Sequence, residues 1–176
     1  MKRMDKLFTL DSAVHFFALE TKDLASAKLD QVRGSAAPIA RTVRGRKMRT
    51  LSALFDEFAA ALQFPSYFGE NMDAFNECIS DLNWLSVADP IVVLVTDPHL
   101  VLELESGDVL RWFVSTMRSA IKELGLPITV GEWWDRPGIP VRLGMTADRD
   151  TLALARKLWN LKDTDVILVR YVDELL

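Results

Sequence analysis

The run Ile91-Val-Val-Leu-Val95, closed by Pro90 on one side and Asp97-Pro98 on the other, narrows the possible folds more than any other feature. A strand of consecutive apolar residues has no polar face to turn to water. It needs cover on both sides, as in a parallel sheet with helices packed on it. The flanking sequence meets that need. Leu51, Leu54, Phe55, Phe58 and Leu62 fall at i, i+3, i+4, i+7 and i+11, the stripe of a helix with Thr50 as N-cap and Pro65 beyond its end. A second helix is expected over 70–82, after the turn Tyr67-Phe-Gly69, and a third over 109–124, capped by Gly125. From Pro38, Ile-Ala-Arg-Thr-Val43 alternates like a short strand before a turn at Arg44-Gly-Arg46, and 127–130 reads as another strand. Strands alternating with helices imply an α/β fold, a small, largely parallel sheet packed by helices through right-handed crossovers.

The two ends are less patterned. Residues 1–34 read as an N-terminal extension with a short helix around 11–19 and a joint at Gly34-Ser35. Residues 35–130 read as the main domain. Residues 131–176 read as a C-terminal strand–helix–strand extension packed on it, with a strand at 141–145, a helix at 149–161 and a last strand at 166–172. In that helix Leu152, Leu158 and Leu161 are expected inward, and the Trp133-Trp134 pair is expected to pack the tail on the core.

At 176 residues, 49% hydrophobic and 26% charged, the chain can bury a core without disulfides or a structural metal. The single Cys78, with His15 and His99 as the only histidines, excludes a disulfide framework and a multi-cysteine or histidine-rich metal centre. Asp5, Lys6 and Asp11 interrupt any signal-like apolar region, and no stretch approaches bilayer-spanning length. A cytoplasmic protein with no membrane partner is expected.

Charge singles out one segment. Residues 51–110 carry Asp56, Glu57, Glu70, Asp73, Glu77, Asp81, Asp89, Asp97, Glu103, Glu105 and Asp108, and no Lys or Arg. Sixty residues at −11, in a chain whose net charge is −4, attract a basic partner. Wound at the helical period, 70–82 puts Glu70, Asp73, Glu77 and Asp81 within an arc of about 80° and Met72, Phe75, Ile79 and Leu82 opposite. Like charges three and four apart cost roughly 0.2–0.5 kcal/mol per pair, so the row asks for a use. The plain alternative is a solvated helix face. Phe68 and Tyr67 likewise read as a packing staple, Gly69 as the source of a positive φ, Asn71 as a backbone partner and Cys78 as a small buried filler.

The stretch Leu62-Gln-Phe-Pro-Ser-Tyr67-Phe-Gly-Glu-Asn-Met-Asp-Ala-Phe-Asn-Glu-Cys-Ile-Ser-Asp-Leu82 resembles the signature region of the barstar family, intracellular inhibitors of the ribonuclease barnase. The resemblance runs without gaps through the flanking strand, turn and helix, and covers 38–130. It implies a barstar-like fold, no enzymatic activity and no cofactor or metal. The loop and second helix would plug a nuclease active site, carboxylates standing where substrate phosphates would. Tyr67 would pack on a catalytic histidine, Gly69 and Asn71 would shape the loop, and Asp73 and Glu77 would be the phosphate mimics. Asn76 and Asp81 lie on the same contact helix, and Asp108 is the nearest match to an acid that the family contributes from before its third helix. The family often has Trp where Asn76 stands and Asp where Glu77 stands. The longer Glu77 side chain shifts its charge by a methylene, so the expected partner is a basic ribonuclease other than barnase.

Other readings fit less well. A metal-dependent hydrolase could use Glu70, Asp73 and Glu77, but they share one helix without an acid-rich loop or a nucleophile and base. Arg41, Arg44, Arg46, Lys47 and Arg49 could touch nucleic acid, but no aromatic is interleaved and the acidic segment beside them repels phosphate. No direct nucleic-acid contact is expected; a solvated turn, or one held by the protein's own acids, is the better reading. An acidic interaction module whose basic partner is not a nuclease stays open as the alternative.

Overall fold

The computed structural model describes residues 16–21, 38–85, 89–162 and 166–169. Among the described residues five strands, β1 (Phe16–Glu20), β2 (Ile39–Arg44), β3 (Ile91–Thr96), β4 (Val141–Ala147) and β5 (Val166–Val169), form one parallel sheet in the order β2-β3-β4-β1-β5. The helices are α1 (Leu51–Leu62), α2 (Met72–Asp81), α3 (Gly107–Leu124) and α4 (Arg149–Leu158). The steps from β2 to β3, β4 and β5 all run in one direction across the sheet, so right-handed crossovers put α1 to α4 on one face.

Strand position explains strand composition. β3 lies inside the sheet with β2 and β4 beside it, and all of Ile91–Val95 is buried. β2 is an edge strand, and its alternation is the alternation of its exposure, with Ala40, Thr42 and Arg44 exposed. The ring of Phe17 lies over Gly144, where a Cβ would stand 2.2 Å from it, so β1 seats against β4 only because that residue is glycine.

Several boundaries are as the sequence reads. Thr50 Oγ1 accepts the Ala53 N–H at 3.4 Å and starts α1 at Leu51. α1 ends at Leu62, with Gln63 left-handed at φ 53 before Pro65 is reached. α3 starts two residues earlier than expected and ends at Leu124, with Gly125 as its C-cap.

Other expectations are corrected. The segment 127–130 is not a strand: Pro127 has no N–H, the Asp135 carboxylate takes the N–H groups of Val130 and Gly131, and Gly131 turns the chain at φ 86. Only an isolated antiparallel bridge, Ile128 to Arg136, remains there. Residues 16–19, expected in a helix, are β1, where every second residue meets a different buried face; 11–15 and the joint at Gly34-Ser35 fall outside the described residues. α4 stops at Leu158 because Asn160 takes a left-handed conformation at φ 50, and Leu158 is exposed rather than inward. Trp133 and Trp134 do not pack on the core; they are 89% and 49% exposed. The last strand is described over Val166–Val169, and 170–172 fall outside the described residues.

Candidate functional site: an acidic helix held outward by an aromatic cluster

Phe75 decides which way α2 faces. Its ring sits within 5.9 Å of Phe55, Phe58, Phe64 and Trp112, centroid to centroid, and it is fully buried. Ile79 and Leu82 are buried on the same side, and α2 is thereby fixed between α1 and α3. With that face committed, Asp73, Asn76, Glu77 and Asp81 are exposed. The chain beyond α2 is pinned as well, since Trp84 Nε1 donates to the Leu62 carbonyl at 2.9 Å, closing the end of α1.

The loop before α2 is equally determined. Phe68 packs edge-on against Phe55 and Phe64 at 5.9 and 5.0 Å, so the aromatic pair divides its labour. Phe68 staples the loop, and Tyr67 stands out at 74% exposure. Asn71 is the N-cap: its Oδ1 accepts the Ala74 N–H at 2.9 Å and its Nδ2 donates to the Gly69 carbonyl at 3.2 Å. Because that cap occupies position 71, α2 begins at Met72 and Glu70 precedes the helix. The positive φ expected of Gly69 belongs instead to Glu70, at 50°. Gly69 serves by size, since a Cβ there would come within 3.1 Å of Asn71 Nδ2. The row on the helix itself is Asp73, Glu77 and Asp81, one residue shorter than the sequence suggests.

Charge pairing separates this row from its neighbours. The Arg44 guanidinium grips Glu57 through Nε and Nη2 at 2.7 and 2.9 Å, and the Arg44 N–H adds a third bond. That grip holds the Glu57 carboxyl below its usual range. Arg46 pairs with Asp97 at 3.0 Å, Arg49 pairs with Glu103, and Glu105 accepts the Leu51 N–H. The basic turn is thus held by the protein's own acids. Gly45 allows the close approach this needs, because a Cβ there would stand 2.0 Å from the Asp97 carbonyl oxygen. Among the described residues Glu70, Asp73, Glu77 and Asp81 make no ion pair. Asp108 lies in the first turn of α3 with its carboxylate on Arg111, outside the α2 row.

Cys78 is buried, and burial pushes its thiol up, with Glu77 and Asp81 adding to the rise, so it favours the inert protonated form. Among the described residues no group of three or more His, Cys, Asp or Glu is placed to hold a metal ion, and no helix is long and apolar enough to cross a membrane. The arrangement can present a rigid line of carboxylates beside an exposed tyrosine.

The family model described as Barstar (barnase inhibitor) matches residues 39–144, from the first residue of β2 into β4. The chain belongs to the barstar family. The match includes the Tyr67 loop, α2 and the loop that carries Trp133 and Trp134, while β1, α4 and β5 lie outside it. No curated protein matches the chain. Among solved structures it is similar to Cdc6p from Pyrobaculum aerophilum, with TM-score 0.56 and 14% identity, over 94% of this chain and 43% of that one. It is also similar to the ORC2 protein of Aeropyrum pernix, with TM-score 0.53 and 12% identity, over 89% of this chain and 41% of that one. The chain thus spans less than half the length of these structures, and at such identity the likeness is one of fold.

Proposed function

We propose that this barstar-family chain inhibits a basic ribonuclease other than barnase, closing its active site with α2 and the Tyr67 loop. The supporting observation is an unpaired row on one rigid helix. In a segment where Glu57, Asp97, Glu103 and Asp108 each hold an arginine, Asp73, Glu77 and Asp81 are exposed and, among the described residues, unpaired on a helix fixed from behind. A ribonuclease must present cations to phosphates, and a rigid row of carboxylates meets them at low ordering cost. The inhibitor acts by occupation and carries out no chemistry of its own. Tyr67 supplies the apolar contact, Asn71 and Gly69 hold the loop, and Asn76 fills the helix surface between the acids. Asp108, engaged by Arg111, can join only if that pair opens to the partner.

The test titrates the protein into fluorogenic RNA cleavage by a panel of small basic ribonucleases that includes barnase. Stoichiometric inhibition of a member other than barnase is expected, lost in Asp73→Ala/Glu77→Ala and slower to set in as salt rises. A pull-down from the source cells that returns a basic protein without nuclease activity, retained by wild type and lost by the double variant, would establish the non-nuclease alternative instead. RNA or phosphoester cleavage by the protein itself that vanishes in Asp73→Asn would make it an enzyme.

A further inference from the structure

Leu126, Val130, Trp133 and Trp134 place four exposed apolar side chains within one loop between α3 and β4, at 58%, 67%, 89% and 49% exposure. The loop is not loose. Asp135 accepts the N–H groups of Val130 and Gly131 at 2.9 and 2.8 Å, and these bonds, with one from the Glu132 N–H, hold its carboxyl below the usual range. Arg136 Nη1 donates to the carbonyls of Leu124, Leu126 and Pro137, and the Ile128–Arg136 bridge closes the neck. The two indoles stand edge to face at 5.3 Å. Two tryptophans on a fixed frame are the kind of side chain that anchors protein contacts, because little freedom is lost when they are covered.

We propose that this loop is the surface through which two copies of the chain associate about a two-fold axis. Charge favours that occupant. The charged groups flanking the tip are Lys122, Glu123 and Glu132, of mixed sign and all exposed, while Asp135 and Arg136 are engaged within the loop. A second copy is repelled from the −11 segment but meets no such field here, and a two-fold surface must be compatible with itself. A basic ribonuclease finds little opposite charge at this loop, and an anionic bilayer finds one flanking cation, Lys122. Area sets the strength. A buried tryptophan covers about 150–250 Å², so at these exposures the four side chains withdraw roughly 400–500 Å² per copy. The pair then buries about 800–1,000 Å², below the range of stable specific interfaces, which sets the expectation of a weak dimer.

Sedimentation velocity, run from the low-micromolar to the hundred-micromolar range, tests the proposal with the protein alone. The sedimentation coefficient should rise with concentration and the rise should survive added salt, since the contact is apolar. Trp133→Ala and Trp134→Ala should each weaken association at least about tenfold, and Trp133→Glu should abolish it. Unchanged thermal melts would show that these variants fold. Asp73→Ala/Glu77→Ala should dimerise like wild type, so the outcome stands apart from the ribonuclease reading. A wild type that stays monomeric throughout, or a dimer the Trp variants leave intact, overturns the proposal. Ribonuclease inhibition or binding to phosphatidylserine vesicles that is lost in Trp133→Ala, with no concentration-dependent sedimentation, also overturns it and gives the loop to that other occupant.

Discussion

Glu57, Asp97 and Glu103 each hold an arginine at or just after the end of β2, whereas among the described residues Asp73, Glu77 and Asp81 on α2 hold none. Both sets come from the same sixty residues without a Lys or Arg. The first set fastens α1 and the segment after β3 to the basic turn, so its charge is spent inside the molecule. The second stands on a helix whose other face is locked by Phe75 and Ile79, so its charge is turned outward. A count of acids therefore overstates what a partner can meet. The sum of −11 is the formal charge of the segment, and among the described residues the row without a counter-ion is the short line on α2, with Glu70 beside it and Asp56 apart from it on α1.

If the outward set is for binding, its removal should cost affinity and leave the fold intact. Asp73→Ala or Glu77→Ala is expected to weaken a captured ribonuclease by about 2–5 kcal/mol, mainly through faster dissociation, a range for which the barnase–barstar complex is itself the reference case. Surface plasmon resonance at two salt concentrations reads it. Arg44→Ala and Lys47→Ala should bind like wild type; if they fail while the acid variants bind normally, the two sets have been assigned the wrong way round.

Ile79→Ala attacks the buried side of the same helix. Removing this fully buried side chain should cost about 2–5 kcal/mol in stability, read as a fall in the urea midpoint. A midpoint unchanged within error would mean that nothing locks the acids outward.

Glu57→Gln probes the inward set. The folded protein holds the Glu57 carboxyl below its ordinary value, chiefly through the Arg44 hydrogen bonds. Its contribution is therefore complete above the ordinary carboxylate range, about pH 4, and is lost as pH falls through the lower folded value. Wild type should exceed the variant in stability at neutral pH, and the gap should close in acid. A gap that is constant with pH would mean the Arg44–Glu57 pair is not what stabilises the turn. Asp135 and Asp148, also held low by hydrogen bonds, keep the acid limb steep in both proteins.

The sequence made much of this legible because helical and strand periods are local properties. The stripe at Leu51 through Leu62, the run Ile91–Val95 and the apolar side of α2 all read correctly, and the structure decides between the two readings of the basic turn in favour of pairing with the protein's own acids. What was not legible depended on side chains that compete for the backbone. Asn71 sets the start of α2 and so removes Glu70 from the row, and Asp135 takes the N–H groups a strand at 127–130 would need. Neither outcome follows from a period. The exposure of Trp133 was hidden for a different reason, since an indole is equally at home in a core and at an interface. Residues 16–19 read as helix because a strand buried on both faces and a short apolar helix present the same run of residues.

Asp81 carries the smallest effect and separates the two uses of charge most cleanly. It is the last residue of α2, where the unsatisfied carbonyls make the helix end negative, and it lies one turn beyond Glu77. Both neighbours disfavour a carboxylate, and among the described residues no cation pairs with it. Asp81→Asn removes the charge with nearly the same shape and should raise stability by about 0.5 kcal/mol, more at low salt than at high. The same substitution should slow association with the proposed ribonuclease partner, because the outward row loses one of its three charges. Denaturant midpoints at two salt concentrations, set beside association rates, read both signs. A gain in stability with a loss in association rate is what a residue kept for a partner must show. No change in association would leave Asp81 a solvated end of the helix and confine the contact to Tyr67, Asp73 and Glu77.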